Sequence, residues 1–410
     1  MFLKTTQIIL EITFFFEINS TIIDMKIVYL FRSLAIMGGA EKIIIDKMNY
    51  FADNYHYDIS VITYEQGEHP IVYPLSSKVK HINLNFPFYK LYKYNILKRA
   101  WLFLKMKYDF QKTVKEQINL IKPEITICTT YSYIDISTIL NLRDKSYKII
   151  ESHSAKRSIG KADSFKVNGF KKLLASIFDY YYFKMINKCT ALITLTHNDA
   201  KEWKNLKSIV VIPNMLNYYP EKIRQLSENK RIITAGRLVK QKGYDLLINA
   251  WKTVHEKYPE WILDIYGEGE DRNTLLEHIN INQLEKSIII HEPTTDIYNK
   301  YMESSIYVMS SRWEGFGLVL AEAMSCGIPC ISFDCPYGPS DIITEGEDGL
   351  LVENGNVKQL AEKIGHLIER EDLRKQMGEK ARENIKKFLP SNVMPQWSEL
   401  FQKLLENKPK

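Results

Sequence analysis

No Asp-x-Asp triplet occurs anywhere in the 410 residues. The acidic pair with which many sugar and phosphate enzymes hold a divalent cation is therefore missing. Cysteine is scarce, with Cys128, Cys189, Cys326, Cys330 and Cys335 giving an odd number and no CxxC pair. A disulfide framework is excluded, and the pattern suits a reducing cytoplasm. The last three cysteines have no histidine close by and match no zinc module, so they read as core or loop thiols. There is no GxGxxG and no P-loop lysine. No internal repeat or low-complexity tract is visible, and beyond residue 24 no apolar run approaches the roughly 18 residues of a membrane span. Apolar residues at 45% and charged residues at 25% exclude disorder and collagen-like structure.

What is present begins with length. A chain of 410 residues exceeds one compact core and implies two domains. The net charge of +6 is mild, but it is concentrated: residues 78–122 hold eleven Lys and Arg against Asp109 and Glu116. Such asymmetry points to an anionic partner, membrane lipid or nucleic acid. Residues 1–24 are apolar but interrupted by Glu11 and Glu17, with only Lys4 ahead of the run and no small-residue cleavage site. They read as a dispensable extension rather than a signal peptide or a span, and Met25 opens the first strand.

Short β-branched runs then alternate with longer helical patterns. The first series is 26–31, 57–63, 79–84, 124–129, 147–152, 191–196 and 209–213, with a long helix within 91–121. The pattern restarts after a polar stretch at 222–230, with strands at 231–236, 261–267, 287–293, 305–311, 329–334 and 349–353. Helices fall between these strands, with two more at 356–388. Such alternation predicts an α/β protein of two doubly wound, Rossmann-like domains. The expected divisions are 25–215, 216–390 and a C-terminal helix within 391–410 that packs back on the N-terminal domain. Open sheets of this kind bind ligands beyond the carboxyl ends of their strands, so an interdomain cleft is the expected site.

Three clusters carry chemistry. Gly38 and Gly39 follow the first strand and open a helix, where free amides and the dipole favour an anion; a tight strand-to-helix turn explains them equally well. Arg237 and Lys242 lie in GRLVKQKG (236–243), again between a strand and a helix. Fixed cations there suit a departing diphosphate, although a solvated loop is the plainer alternative. Glu314 and Glu322 bracket EGFGLVLAE, and carboxylates are suitable acceptors for vicinal hydroxyls. A lone glutamate within a helix more often simply faces solvent.

GGAE, GRLVKQKG, YGEG and EGFGLVLAEAMSCGIPC, in this order, resemble the large retaining family four of bacterial glycosyltransferases, over roughly residues 25–390. The resemblance implies a GT-B fold and transfer of a sugar from a nucleotide diphosphate donor with retained anomeric configuration. Arg237 and Lys242 match the family's pyrophosphate-binding pair. Glu322 matches the ribose-holding glutamate, and Glu314 the residue beneath the donor sugar. Phe316 and Gly317 would present backbone amides to sugar or phosphate, with Leu318, Gly236 and Gly267 also on the donor side. Gly38 and Gly39 would pack on the phosphates from the N-terminal domain. His153 matches a histidine near the reacting sugar; read alone it is an ordinary strand-end histidine. Asn214, in IPN at the domain junction, is a weaker candidate. A front-face substitution is implied, in which the leaving phosphate helps to deprotonate the acceptor, so no metal and no cofactor is expected.

The stretch 333–343 resembles the loop of members using UDP-linked hexoses or N-acetylhexosamines. The aromatic and basic surface within 86–108 suits contact with an anionic membrane and a glycan or lipid-linked acceptor, as in capsule or lipopolysaccharide assembly; a buried helix with a solvated basic face is the alternative. The expected location is cytoplasmic, peripheral on the inner face of the membrane. A nucleotide-sugar epimerase on the same fold and a GDP-mannose-dependent transferase are the competing activities. Nucleic-acid binding would leave both βα domains and the donor motifs without a role, so no nucleic-acid partner is expected.

Overall fold

The computed structural model describes residues 25–36, 38–159, 169–204, 206–221 and 229–406. The N-terminal extension lies outside them, as does most of the polar stretch 222–230.

Every anticipated strand forms. The first sheet comprises β1 (Lys26–Phe31), β2 (Asp58–Thr63), β3 (Lys80–Asn83), β4 (Ile125–Thr129), β5 (Tyr147–Ser152), β6 (Ala191–Thr194) and β7 (Ile209–Val211), in the order β3-β2-β1-β4-β5-β6-β7. The second comprises β8 (Arg231–Ala235), β9 (Ile262–Tyr266), β10 (Ile288–His291), β11 (Ile306–Met309), β12 (Cys330–Asp334) and β13 (Gly349–Glu353), in the order β10-β9-β8-β11-β12-β13. Pairing is parallel, with Lys26 opposite Asp58 in one sheet and Ile306 opposite Ile232 in the other. Both sheets are doubly wound: the order reverses beside β1 in the first and beside β8 in the second.

Period-two alternation sends neighbouring residues to opposite faces, and both faces of the second sheet are covered. Ile232, Leu263, Val308 and Ile331 join one apolar cluster with Trp251 and Leu360. Ile233, Tyr307, Met309 and Cys330 join the other, with Leu320 and Met324. All five cysteines are free, and Cys326, Cys330 and Cys335 are buried core thiols. By compactness the chain divides into Met1–Ile150 with Lys188–Thr190, and Glu151–Asn187 with Ala191–Lys410.

The long helix of the first half runs Ile96–Ile121 after a separate 3₁₀ turn, Phe88–Lys93. Asn95 sets its start, its side chain accepting from the Lys98 amide at 3.0 Å. The final helix, expected within 391–410, runs Pro390–Glu406 with Pro395 inside it. Pro390 sits at the first helical position, where no amide is needed, and Pro395 costs one backbone bond. The buried face of Val393, Met394, Trp397 and Phe401 holds the helix across that gap.

Candidate functional site

The reversal beside β8 fixes where chemistry can gather in the second unit. β8 and β11 are neighbours in the sheet yet far apart in sequence, so the loops leaving their carboxyl ends lie side by side. These are GRLVKQKG and SSRWEGFG. They are zipped together: the Arg312 amide donates to Gln241 O at 2.8 Å, Gln241 Nε2 to Trp313 O at 2.9 Å, and Ser310 Oγ to Lys242 O at 3.0 Å. Arg312 also grips Asp245 in bidentate fashion, at 2.8 and 2.6 Å. Burial alone would raise the Asp245 carboxyl, but Arg312 beside it holds it below its usual range.

At the centre of this seam Lys242 Nζ meets Glu314 Oε1 at 2.7 Å, and Ser311 Oγ donates to the same oxygen at 2.5 Å. The pair is largely enclosed, with side-chain exposures of 15% and 8%. Gly243 makes the approach possible: its φ is +64°, and a Cβ there would lie 2.1 Å from the Ser310 carbonyl oxygen. Arg237, by contrast, is exposed, and its guanidinium has no hydrogen-bond or ion-pair partner among the described residues. The seam thus holds one cation in reserve and a second on a carboxylate.

The short helix Leu318–Ser325 opens at Gly317, φ +89°, with no side-chain cap. The amides of Phe316 and Gly317 have no protein acceptor among the described residues, whereas Phe316 buries its ring against Phe388. Leu318 begins that helix. Glu322 is half-buried on it, against Tyr298, whose hydroxyl bonds to it; burial and the Glu322 charge push that phenol up. Gly236 and Gly267 close the edge of the sheet, their amides donating to Tyr266 O at 3.0 Å and His291 O at 3.1 Å. Both amides are therefore already used.

His153 lies in the same compact unit. Its Nε2 is 2.9 Å from Glu151 Oε2, and both side chains are about fully enclosed, 3% exposed each. The His153 carbonyl oxygen would stand 2.5 Å from a Cβ on Gly315, so only glycine lets EGFG pass it. Asn214 follows β7 in an irregular segment.

In the first unit the corresponding reversal lies between β1 and β4. Gly38 caps the helix Gly39–Asn54 with an extended backbone. The Glu41 carboxylate sits over Gly38, so an arriving phosphate would have to displace it. Beyond β4, Asp135 is buried, its carboxyl pushed up to about 7 by burial, against the lowering effect of the Tyr64 and Ser132 hydroxyls and Arg32. No motif signalled this group, nor Glu151, Ser311 or Arg312, whose contacts span 2, 3 and 67 residues. Among the described residues no group of three or more His, Cys, Asp or Glu is placed to hold a metal ion.

Residues 219–384 match the family model described as Glycosyl transferases group 1. The chain is 27% identical, over 376 residues, to an uncharacterized glycosyltransferase of Haemophilus influenzae, covering 91% of this chain and 98% of that one. It is 31% identical to the poly(ribitol-phosphate) alpha-N-acetylglucosaminyltransferase of Staphylococcus aureus, covering 54% of this chain and 45% of that protein. Among solved structures, S. aureus TarM, crystallised with Fondaparinux, alpha-GlcNAc-glycerol and UDP, superposes with a TM-score of 0.73 at 18% identity, over 92% of this chain and 99% of that one. The fold is GT-B, and the matches support a glycosyltransferase of the group 1 superfamily.

Proposed function

We propose that the chain is a retaining, metal-independent transferase moving a hexose or N-acetylhexosamine from a UDP-linked donor to a glycan or lipid-linked acceptor in cell-surface polysaccharide synthesis. The observation that carries this reading is the Lys242–Glu314 pair at the seam of two strand-end loops, beside the unpartnered Arg237.

A departing diphosphate gains negative charge as its bond to the anomeric carbon breaks. Cations already in place stabilise that charge without reorganisation. Lys242 is held by Glu314 and Ser311, and Arg237 is free to close on the outer phosphate. The open Phe316 and Gly317 amides would take a sugar or phosphate oxygen, and Glu322 the ribose diol. The acceptor oxygen then bonds to the anomeric carbon on the face the phosphate leaves, and its proton passes to that phosphate. No carboxylate nucleophile is required, and Glu314 is committed to Lys242. UDP in the TarM crystal and the N-acetylglucosaminyl activity in the Staphylococcus relative's name favour the donor chosen. With a lipid-linked acceptor, residues 86–108 would rest on the anionic face of the cytoplasmic membrane.

The test is a panel of nucleotide sugars scored by thermal shift, followed by turnover with the stabilising donor. UDP-sugars should raise the unfolding midpoint as ligand saturates the native state. Stabilisation by none of them would remove the reading.

A further inference from the structure

The helix Ile96–Ile121 buries only Phe110, Val114 and Ile118. Residues 96–109 contribute no buried side chain, yet besides Ile96 at the helix start they include four large apolar groups far out in solvent: Leu97 at 85%, Trp101 at 63%, Leu104 at 67% and Tyr108 at 69% exposure. At 3.6 residues per turn these four fall within a sector of about 60°, turned about 110° from the inward stripe. They form an organised second face, not scattered exposure.

Cations flank it. Lys105 lies 5.9 Å from the Trp101 ring, Lys98 4.7 Å from Tyr94, and Arg99 5.5 Å from Tyr92. None of these three is paired with a carboxylate among the described residues. The positive charge is therefore left unneutralised around an apolar stripe. A second copy of the chain on this face would set Lys98 and Lys105 of one molecule against those of the other, and like charges oppose that contact. Single-stranded nucleic acid requires rings free to stack, whereas two of the four groups, Leu97 and Leu104, offer none. An aliphatic and Trp/Tyr stripe bordered by Lys and Arg has the chemistry of the headgroup–acyl boundary.

We infer that this face docks on an anionic lipid bilayer, with Leu97, Trp101, Leu104 and Tyr108 entering the interface and Lys98 and Lys105 meeting lipid phosphates. The inference deepens the membrane contact of the reading above and rests on it for its biological purpose, but it can fail separately. No helix among the described residues is long and apolar enough to cross a membrane, so attachment through this face would be peripheral.

Sedimentation with vesicles tests it, using the full chain with mixed phosphatidylglycerol and phosphatidylcholine, and with phosphatidylcholine alone. Partition onto the mixed vesicles only, weakened by salt, is expected. The Lys98→Ala/Lys105→Ala variant should partition about 25-fold less, near fivefold per cation. Trp101→Ser/Leu104→Ser should lose about tenfold or more. Both variants should keep the wild-type unfolding midpoint and UDP affinity. Equal binding to neutral vesicles, no binding to anionic ones, or variants that partition like wild type would each overturn the inference. So would a stripe variant that changes the oligomeric state and not vesicle binding. Vesicle binding without any UDP binding would instead sink the enzymatic reading alone.

Discussion

Replacing Lys242 by methionine keeps the length of the side chain and removes its charge, leaving Glu314 with Ser311 as its remaining side-chain donor. At 2.7 Å and an effective permittivity of about 20, the lost attraction is about 6 kcal/mol. Desolvating both ions already consumes much of that. Breaking a pair this enclosed is therefore expected to cost about 3 kcal/mol of stability, chiefly because Glu314 is stranded. For a unit of about 250 residues this is a fall of about 6 °C in the unfolding midpoint. Turnover should fall about 10²–10³-fold, the scale for removing one preorganised charge stabiliser. Arg237→Ala separates the two effects. With no partner to strand, it should stay within about 0.5 kcal/mol of wild-type stability while losing activity to a similar degree. Calorimetry of the three proteins, with initial rates on the preferred UDP-sugar, reads both quantities. A Lys242→Met midpoint within a degree or so of wild type would refute the energetic argument for the pair. Near-normal turnover in both variants would refute the charge-stabilisation mechanism.

Glu322→Ala should weaken UDP-sugar binding in titration calorimetry; unchanged affinity would mean that Glu322 serves only Tyr298. Asp135 predicts a pH effect whose sign follows from its raised carboxyl. The folded chain holds this proton up to about 7, whereas the unfolded chain releases it near 3.8. The favourable contribution is complete below 3.8 and is lost as pH rises through about 7. Asp135→Asn should therefore match wild type in acid and be the more stable protein above neutrality. A stability gap independent of pH would show that the carboxyl titrates normally. Initial rates should survive exhaustive treatment with EDTA, and a strict requirement for added divalent cation would contradict the metal-free route.

The strands were legible because each is a short β-branched run bounded by polar turns, and both sheets bury such runs on two faces. Ile232 and Ile233 illustrate this, adjacent in sequence and packed in opposite clusters. Proline usually marks a helix boundary, yet the final helix carries one in its interior. Only the tertiary burial of Trp397 and Phe401 shows why Pro395 is tolerated inside it. Glu151, Ser311 and Arg312 carried no signal, since a polar residue beside a motif says nothing about which carboxylate or carbonyl the fold will bring to it. The exposed face of helix Ile96–Ile121 was legible in composition but not in orientation. Which of its two apolar stripes turns inward depends on Phe110 finding Tyr64, Phe86 and Phe88.

One physical circumstance explains why the motifs of the second unit stood out while Tyr64, Ser132 and Asp135 of the first did not. At the reversal beside β8 two chain segments run within contact of each other, and the backbone itself leaves no room for side chains. Gly243 faces the Ser310 carbonyl and Gly315 faces that of His153, at separations no Cβ could occupy. Such positions admit one residue type and imprint themselves on the sequence as motifs. At the reversal beside β1 the packing is done by side chains, among them Tyr64, Ser132 and Asp135. It follows that the loops holding Lys242 and Glu314 are written in glycines and the surroundings of Asp135 are not. A search for the acceptor should accordingly vary the surface around Tyr64 and Asp135 before it varies the loops that hold Lys242 and Glu314.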